Sequence, residues 1–475
     1  SMDWFLVISL VSFLLPAHGF SSKIFSELHQ EPPVGPISKS ARKVSEEWID
    51  QWLDHTNPQC EKKWKMRYFA NDEFYVEGGP IFIFVGGEWT ASDGYVRGGH
   101  MYDMAKEFNG YMFYTEHRFY GKSKPTSNLT VENLKYLTSG QALADLAHFI
   151  QNKTIEVPGA NESSVFLVGG SYSASLVTWF SHKYPTLVTG VWSSSAPLVA
   201  KLDFKEYFEV VAESIKLIGG DACFNKTTSA FAEMQDLINA GNLTYLSQTV
   251  KLCQNLTSDP LDVQNFFQTM SAILAVIVQS RGSPGIQNYC QIMNTNDEHL
   301  VGFAKTFKIL NIGCLNGNFE EDNKDLKDTA WPKDDEQMMR RWIFQTCNEF
   351  GWFQTSDTPE YPFTNNFPAE FFVNLCQYAF GEEFIREKIE HNICQINVEY
   401  EGLSPQVKNV YSTHGHLDPW KAAGVQTDIN SDSPTVIIPG HSHCNDLKSI
   451  EATDAPELTE SREKIKELVE KWGNF

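Results

Sequence analysis

At 475 residues, 42% of them apolar and 13% aromatic, the chain has room for two or three domains or one enlarged domain, and it is too rich in core-forming side chains to be disordered. A formal charge of −22 speaks against nucleic acid and anionic membranes as partners. Such an acidic balance suits a protein that tolerates low pH and says nothing about mechanism.

Residues 4–15 form an apolar run too short to cross a bilayer, and Pro16-Ala17-His18-Gly19 follows with small residues, so residues 1–19 read as a signal peptide cut near Gly19. Residues 20–45 are polar and carry Pro32, Pro33 and Pro36, which reads as a flexible leader or a short propeptide. Segments 64–69 and 73–76 alternate as antiparallel edge strands should. Residues 81–85 are apolar throughout, the mark of a strand buried on both faces of a parallel sheet, and end in Gly86-Gly87-Glu88-Trp89. Residues 111–114 form the next such strand and run into Glu116-His117-Arg118.

Thr138-x-x-Gln141 is a capping box that opens an amphipathic helix through about residue 151. A β-leaning run, 164–168, then leads into Gly169-Gly170-Ser171-Tyr172 and a helix of small and apolar residues that stops near Tyr184-Pro185. A further strand covers 187–192. Strand and helix alternate, so the fold expected is a mostly parallel α/β sheet with right-handed crossovers.

From about Val199 the periodicity turns helical, in 204–217, 229–239 and 263–279, with no interleaved strands. This cysteine-rich stretch continues to about Cys394. Strands return at 407–411 and 435–438, and an amphipathic helix over 457–472 closes the chain. The simplest organisation is one α/β domain, 46–198 and 395–475, interrupted by a helical insertion, 199–394. No segment after the leader is long and apolar enough for a membrane span; the richest is 270–278.

Sequons at Asn128, Asn152, Asn161, Asn225, Asn242 and Asn255 support a secretory route. Of the nine cysteines most should pair in an oxidising compartment, and the odd count leaves at least one free. None form Cys-x-x-Cys or a zinc-spaced cluster with histidine, so neither metal nor cofactor is expected.

The segment around Ser171 has the outline of a nucleophile elbow, in which a sharp strand-to-helix turn lifts one serine above the sheet edge. Ser173 stands where the usual G-x-S-x-G has glycine. An elbow serine needs a base, and the base needs an acid, in the chain order Ser, Asp or Glu, His. Both returning strands supply one: His414-Gly415-His416-Leu417-Asp418-Pro419-Trp420 and His441-Ser442-His443-Cys444. Asp-Pro also opens ordinary turns, His441 competes with His443, and Ser193, Ser194 and Ser195 are rival nucleophiles without the glycine-tight turn. The three-part order singles out Ser171, Asp418 and His443. Oxyanion donors are expected at Tyr172 and in the Gly86-Gly87-Glu88 loop, at Gly87.

Leu53-Asp54-His55-Thr56-Asn57-Pro58, Gly86-Gly87-Glu88, Glu116-His117-Arg118-Phe119-Tyr120-Gly121-Lys122-Ser123, Gln141-Ala142-Leu143-Ala144-Asp145, Gly169-Gly170-Ser171-Tyr172, Ser194-Ser195-Ala196-Pro197 and Leu417-Asp418-Pro419-Trp420 together resemble the S28 serine peptidases over nearly the whole mature chain. Gln345-Thr346-Cys347-Asn348-Glu349-Phe350-Gly351 and His443-Cys444 lie closer to the thymus-specific branch. The resemblance implies an α/β-hydrolase domain with a helical cap, a Ser171-Asp418-His443 triad, cleavage after proline, and Trp420 beside the pocket for the proline ring. Two departures stand out: Ser173-Ala174 where the family has Pro-Gly or Gly-Gly, and Thr56 in place of an aromatic residue.

The expectation is a secreted, lysosomal or endosomal serine peptidase acting on short peptides or chain ends, with Glu88 a candidate for binding a free α-amine. A homodimer is left open, as is the choice between carboxy-, dipeptidyl and endopeptidase. A lipase or esterase, or a hydrolase fold kept as a binding protein, are the competing readings.

Overall fold

Runs without a polar side chain, such as Ile81–Val85, can bury both faces only inside a sheet covered by helices on each side. The computed structural model describes residues 20–39, 44–333, 339–358 and 361–475, and builds that layered arrangement; the expected signal peptide lies outside the described residues. The central sheet contains β1 (Ser45–Trp52), β2 (Lys63–Asn71), β3 (Ile81–Val85), β4 (Tyr111–Thr115), β5 (Val165–Gly170) and β6 (Gly190–Ser194), then, after the insertion, β9 (Val410–Gly415) and β10 (Thr435–Ile438). Its order is β1-β2-β4-β3-β5-β6-β9-β10, antiparallel where β2 meets β1 and β4 and parallel elsewhere. This is an α/β-hydrolase fold.

Helix α1 (Phe20–Leu28) precedes the sheet; α2 (Gly99–Glu107), α3 (Val131–Leu134), α4 (Ser139–Glu156) and α5 (Tyr172–Lys183) connect its strands, and α15 (Pro456–Gly473) closes the chain. Between β6 and β9 lie a short two-stranded sheet, β7 (Lys201–Asp203) with β8 (Gly351–Phe353), and the cap helices. These are α6 (Glu206–Asn239), α7 (Leu243–Thr249), α8 (Pro260–Gln279), α9 (Gly282–Asn294), α10 (His299–Lys305), α11 (Phe319–Asn323), α12 (Met339–Gln345), α13 (Ala369–Phe380) and α14 (Arg386–Tyr400).

Four expectations need correction. The edge hairpin is β1 with β2, and 73–76 is no strand, because the Asn71 side chain accepts from the Glu73 amide and turns the chain towards Gly78-Gly79-Pro80. The insertion is mainly helical as expected, but it is not free of strands, since β7 and β8 pair within it. Residues 20–39 are no loose leader: Ile24 and Phe25 of α1 are buried against the cap. Helix α8 does meet the length and apolarity of a membrane span, but most of it is packed inside the protein, as a core helix should be.

Three disulfides, Cys223–Cys290, Cys253–Cys314 and Cys347–Cys376, all lie in the insertion, leaving Cys60, Cys394 and Cys444 free. Asn161, Asn225, Asn242 and Asn255 are exposed, whereas Asn128 and Asn152 are half-buried.

Two of the sequence blocks named above, around Glu116-His117-Arg118 and Asp145, are scaffolding for the loops after β4. Arg118 is fully buried and grips Asp145 through two nitrogens, at 2.6 and 2.8 Å, while also donating to the carbonyls of Trp52, Leu53 and Tyr136. The carboxylate of Glu116 binds Arg67, Ser123 and the Ala91 amide. Gly121 is required beside it, because it has φ +54° and a Cβ there would fall 1.9 Å from a Glu116 oxygen.

Candidate active site

The carboxyl ends of β5, β9 and β10 open onto one rim of the sheet, where α/β proteins gather their functional groups. Ser171 lies between β5 and α5 with φ +58° and ψ −131°, a backbone state that costs free energy for a residue with a Cβ. Its amide donates to the Ser194 carbonyl of β6 at 2.9 Å. A Cβ on Gly169 would lie 2.4 Å from the Ser173 carbonyl, so strand and helix approach this closely only with glycine there. Ser173, the departure from the glycine pattern, closes the turn itself. Its hydroxyl donates to the Gly170 carbonyl and accepts from the Gly170 amide, both at 2.9 Å.

Asp418 follows β9, is fully buried, and caps the short turn Pro419–Ala423 by accepting from the Trp420 amide at 3.0 Å. His443 follows β10 and donates from Nδ1 to both Asp418 oxygens, at 2.9 and 3.0 Å. In the neutral ring that leaves Nε2 as the lone-pair nitrogen. Nε2 is buried without a hydrogen-bond partner, so its contact with the Ser171 hydroxyl is not closed here. Such contacts are often long in unliganded hydrolases and tighten in the substrate complex. Ser171, His443 and Glu88 line one cavity of about 40 Å³.

The electrostatics favour an ion pair. Burial by itself lowers the basicity of His443, but the Asp418 carboxylate outweighs it and holds the imidazole well above its usual range. Burial likewise works against the Asp418 anion, and the facing His443 charge brings the carboxyl below its usual range. His414, on β9, is pushed down to about 4 by burial and stays neutral.

The rival residues sit elsewhere in the framework. The Ser193 hydroxyl donates to the Ala174 carbonyl, Ser194 to the Asp446 carboxylate, and Ser195 accepts from the Cys444 amide, all buried. His441 makes no bond to Asp418; its carbonyl accepts from the Leu417 amide.

Of the expected oxyanion donors, the Tyr172 amide opens α5 and belongs to the first-turn N–H groups that have no acceptor within their own helix. Gly87 lies directly under the Trp89 ring, 2.6 Å from where its Cβ would be, and does not line the cavity. Glu88 does: it is buried, its Oε1 meets His29 Nδ1 at 3.2 Å, and its Oε2 has no hydrogen-bond partner. Trp420 is buried in an aromatic cluster with Phe204, Tyr207 and Trp352, its ring centre 6.5 Å from that of His443.

Sequence reasoning missed Gln279 at the end of α8. Its Oε1 accepts from Trp420 Nε1 at 2.9 Å and from the Tyr207 hydroxyl at 2.7 Å, and its Nε2 donates to the Leu28 carbonyl at 2.9 Å. A glutamine ending a buried helix carries no local signal of such a role. The Ser442 hydroxyl, donating to the Val278 carbonyl at 2.7 Å, ties the histidine loop to the same helix.

Residues 51–465 match the family model described as serine carboxypeptidase S28. The thymus-specific serine protease of Mus musculus is 31% identical over 90% of this chain and 87% of its own. The lysosomal Pro-X carboxypeptidase of Bos taurus is 28% identical over 96% of this chain and 95% of its own. Among solved structures, the proline iminopeptidase of Mycobacterium smegmatis aligns with 90% of this chain and 99% of its own, at 10% identity and a TM-score of 0.37.

Proposed function

The chain belongs to the serine carboxypeptidase S28 family, so it is a serine-type peptidase, and from that premise we propose that it cleaves peptides after proline through Ser171, His443 and Asp418. The observation that carries this reading is the two-oxygen contact of Asp418 with His443 Nδ1, while the same His443 lines a cavity together with the strained Ser171. Ser171 Oγ attacks the scissile carbonyl while His443 Nε2 takes its proton, and the imidazolium returns that proton to the leaving amine. Asp418 orients the ring and stabilises its charge. The Tyr172 amide and a donor near Gly87 hold the oxyanion, each such donor being worth about 3–4 kcal/mol of barrier.

Proline specificity is supported by Trp420, whose ring ends the aromatic cluster next to His443. The free α-amine of a short peptide has a candidate counter-group in Glu88, whose second oxygen lacks a partner, and this supports release of an N-terminal unit as the mode of cleavage. Three disulfides support residence in the secretory route, including lysosomes.

The test is mass-spectrometric mapping of products from a peptide library with free and blocked termini, from acid to neutral pH. Cuts on the carboxyl side of proline, favoured by a free amine, are expected. Cuts indifferent to proline, or turnover of long acyl esters in place of peptides, would overturn the reading.

A further inference from the structure

The cavity that Ser171 and His443 share is walled on one side by the chain's own N-terminal segment: Glu27, Leu28, Gln30, Pro32 and Pro33 all line it. A space of about 40 Å³ holds a few waters and no peptide. The segment comes in over the cap. Lys23 Nζ donates to the Asn311 carbonyl at 2.8 Å, and the buried Ile24 and Phe25 help roof an apolar cavity of about 130 Å³ whose floor includes Trp342 and Trp352.

Two successive carbonyls are then read by cap side chains, Glu27 O by Ser280 Oγ and Leu28 O by Gln279 Nε2, each at 2.9 Å. His29 stacks on Phe25 and puts Nδ1 on Glu88. Beyond the catalytic rim, Glu31 accepts from the Ser92 amide and hydroxyl and from Tyr114, and the Pro32 carbonyl accepts from the Tyr95 hydroxyl at 2.9 Å.

A substrate needs the same groups. An extended peptide crossing from cap to sheet requires donors for its carbonyls, a counter-charge for its amine and free approach to Ser171, and residues 27–33 occupy all three. The segment adds only an isolated bridge, Ile37 with Gly98, to the β-structure, and the central sheet starts afterwards at Ser45. Lys39, Arg42 and Lys43 offer trypsin-type cleavage points between the two.

We infer that residues 20–39 are an inhibitory strap bound as a peptide in the substrate cleft, so that the intact chain is latent, and that Gln279 and Ser280 are the cap residues that hold a substrate's backbone once the strap leaves. The inference rests on Ser171 being the nucleophile. The strap is resident in the cleft, and its release by a cut before β1 exposes Glu88, Gln279 and Ser280 together.

The test compares the rate at which a biotinylated alkyl fluorophosphonate labels the intact chain and the chain nicked by trypsin before Ser45 and freed of the segment by gel filtration. Labelling about tenfold faster or more is expected after release, as for a site mostly occupied beforehand. A synthetic peptide of residues 20–39 should slow it again, and the same peptide carrying Phe25→Ala and His29→Ala should not. Uncut protein with those two substitutions, its fold verified by circular dichroism, should label faster than the unsubstituted chain, which covers the case in which the nicked protein unfolds. Equal or slower labelling of folded, strap-free or substituted protein overturns the strap while leaving Ser171 as nucleophile. No labelling in any form overturns the catalytic reading and the strap with it.

Discussion

Ser173 shows how one side chain can replace a glycine and still hold the elbow, because its hydroxyl makes the two bonds to Gly170 that close the turn. The elbow itself was legible in the sequence because every demand on it is local: a β-run, two glycines and small residues after the serine. Asp418 and His443 were legible only by chain order, and Gln279 and His29 not at all, since each acts through partners more than fifty residues away. Two substitutions test the residue-scale account. Asp418→Asn should lower kcat by about 10⁴-fold, as loss of the orienting carboxylate does in a serine triad. The raised His443 basicity means that activity climbs as pH rises through the imidazolium's ionisation, so the acid limb of kcat/KM should move to lower pH in this variant; an unmoved limb would contradict the pairing. Glu88→Gln should raise KM about 10- to 100-fold for peptides with a free α-amine, the worth of one hydrogen bond to a charged group, and leave acetylated peptides unchanged in parallel assays.

At the scale of elements, the buried strands β3, β4 and β5 were readable from apolar runs, whereas β1, with most of its residues exposed, and the three-residue β7 and β8 were not. Those short strands exist through pairing across some 150 residues, which no local pattern announces. The capping box at α4 is half made. Thr138 accepts from the Gln141 amide, but the Gln141 side chain turns away to Asp54 and the His55 amide, joining the helix to the loop after β1. The same helix end binds the insertion, since the Ser139 amide and hydroxyl donate to Glu349. Burial pushes the Glu349 carboxyl up to about 8, against the opposing effect of those bonds. A raised carboxyl contributes its stability fully below the unfolded value near 4.5 and loses it as pH climbs through about 8. Between acid and neutral pH this one group therefore works against stability, and Glu349→Gln should shift the slope of melting temperature against pH upward relative to the unsubstituted chain; equal slopes in a pH series of thermal melts would count against the role given to Glu349.

For the molecule as a whole, the presence of a hydrolase sheet with a mainly helical insertion was visible as a change of periodicity along the chain. The packing of residues 20–39 against the catalytic rim was not visible, because a proline-rich polar stretch looks the same whether it is free or docked. All three disulfides close loops inside the insertion, with sequence separations of 67, 61 and 29 residues. On chain entropy each contributes about 4 kcal/mol by constraining the unfolded state. Reduction should thus loosen the cap before the sheet, splitting one calorimetric transition into two; a single transition that merely shifts would mean that cap and sheet unfold as one unit. The central claim is that Ser171, His443 and Asp418 work as one relay at the sheet rim. Its most direct test is peptide mapping of the protein after fluorophosphonate treatment, with and without residues 20–39. The account predicts one adduct, on Ser171, that disappears in His443→Ala. An adduct on Ser193, Ser194 or Ser195, or peptidase activity that survives Ser171→Ala, would contradict it.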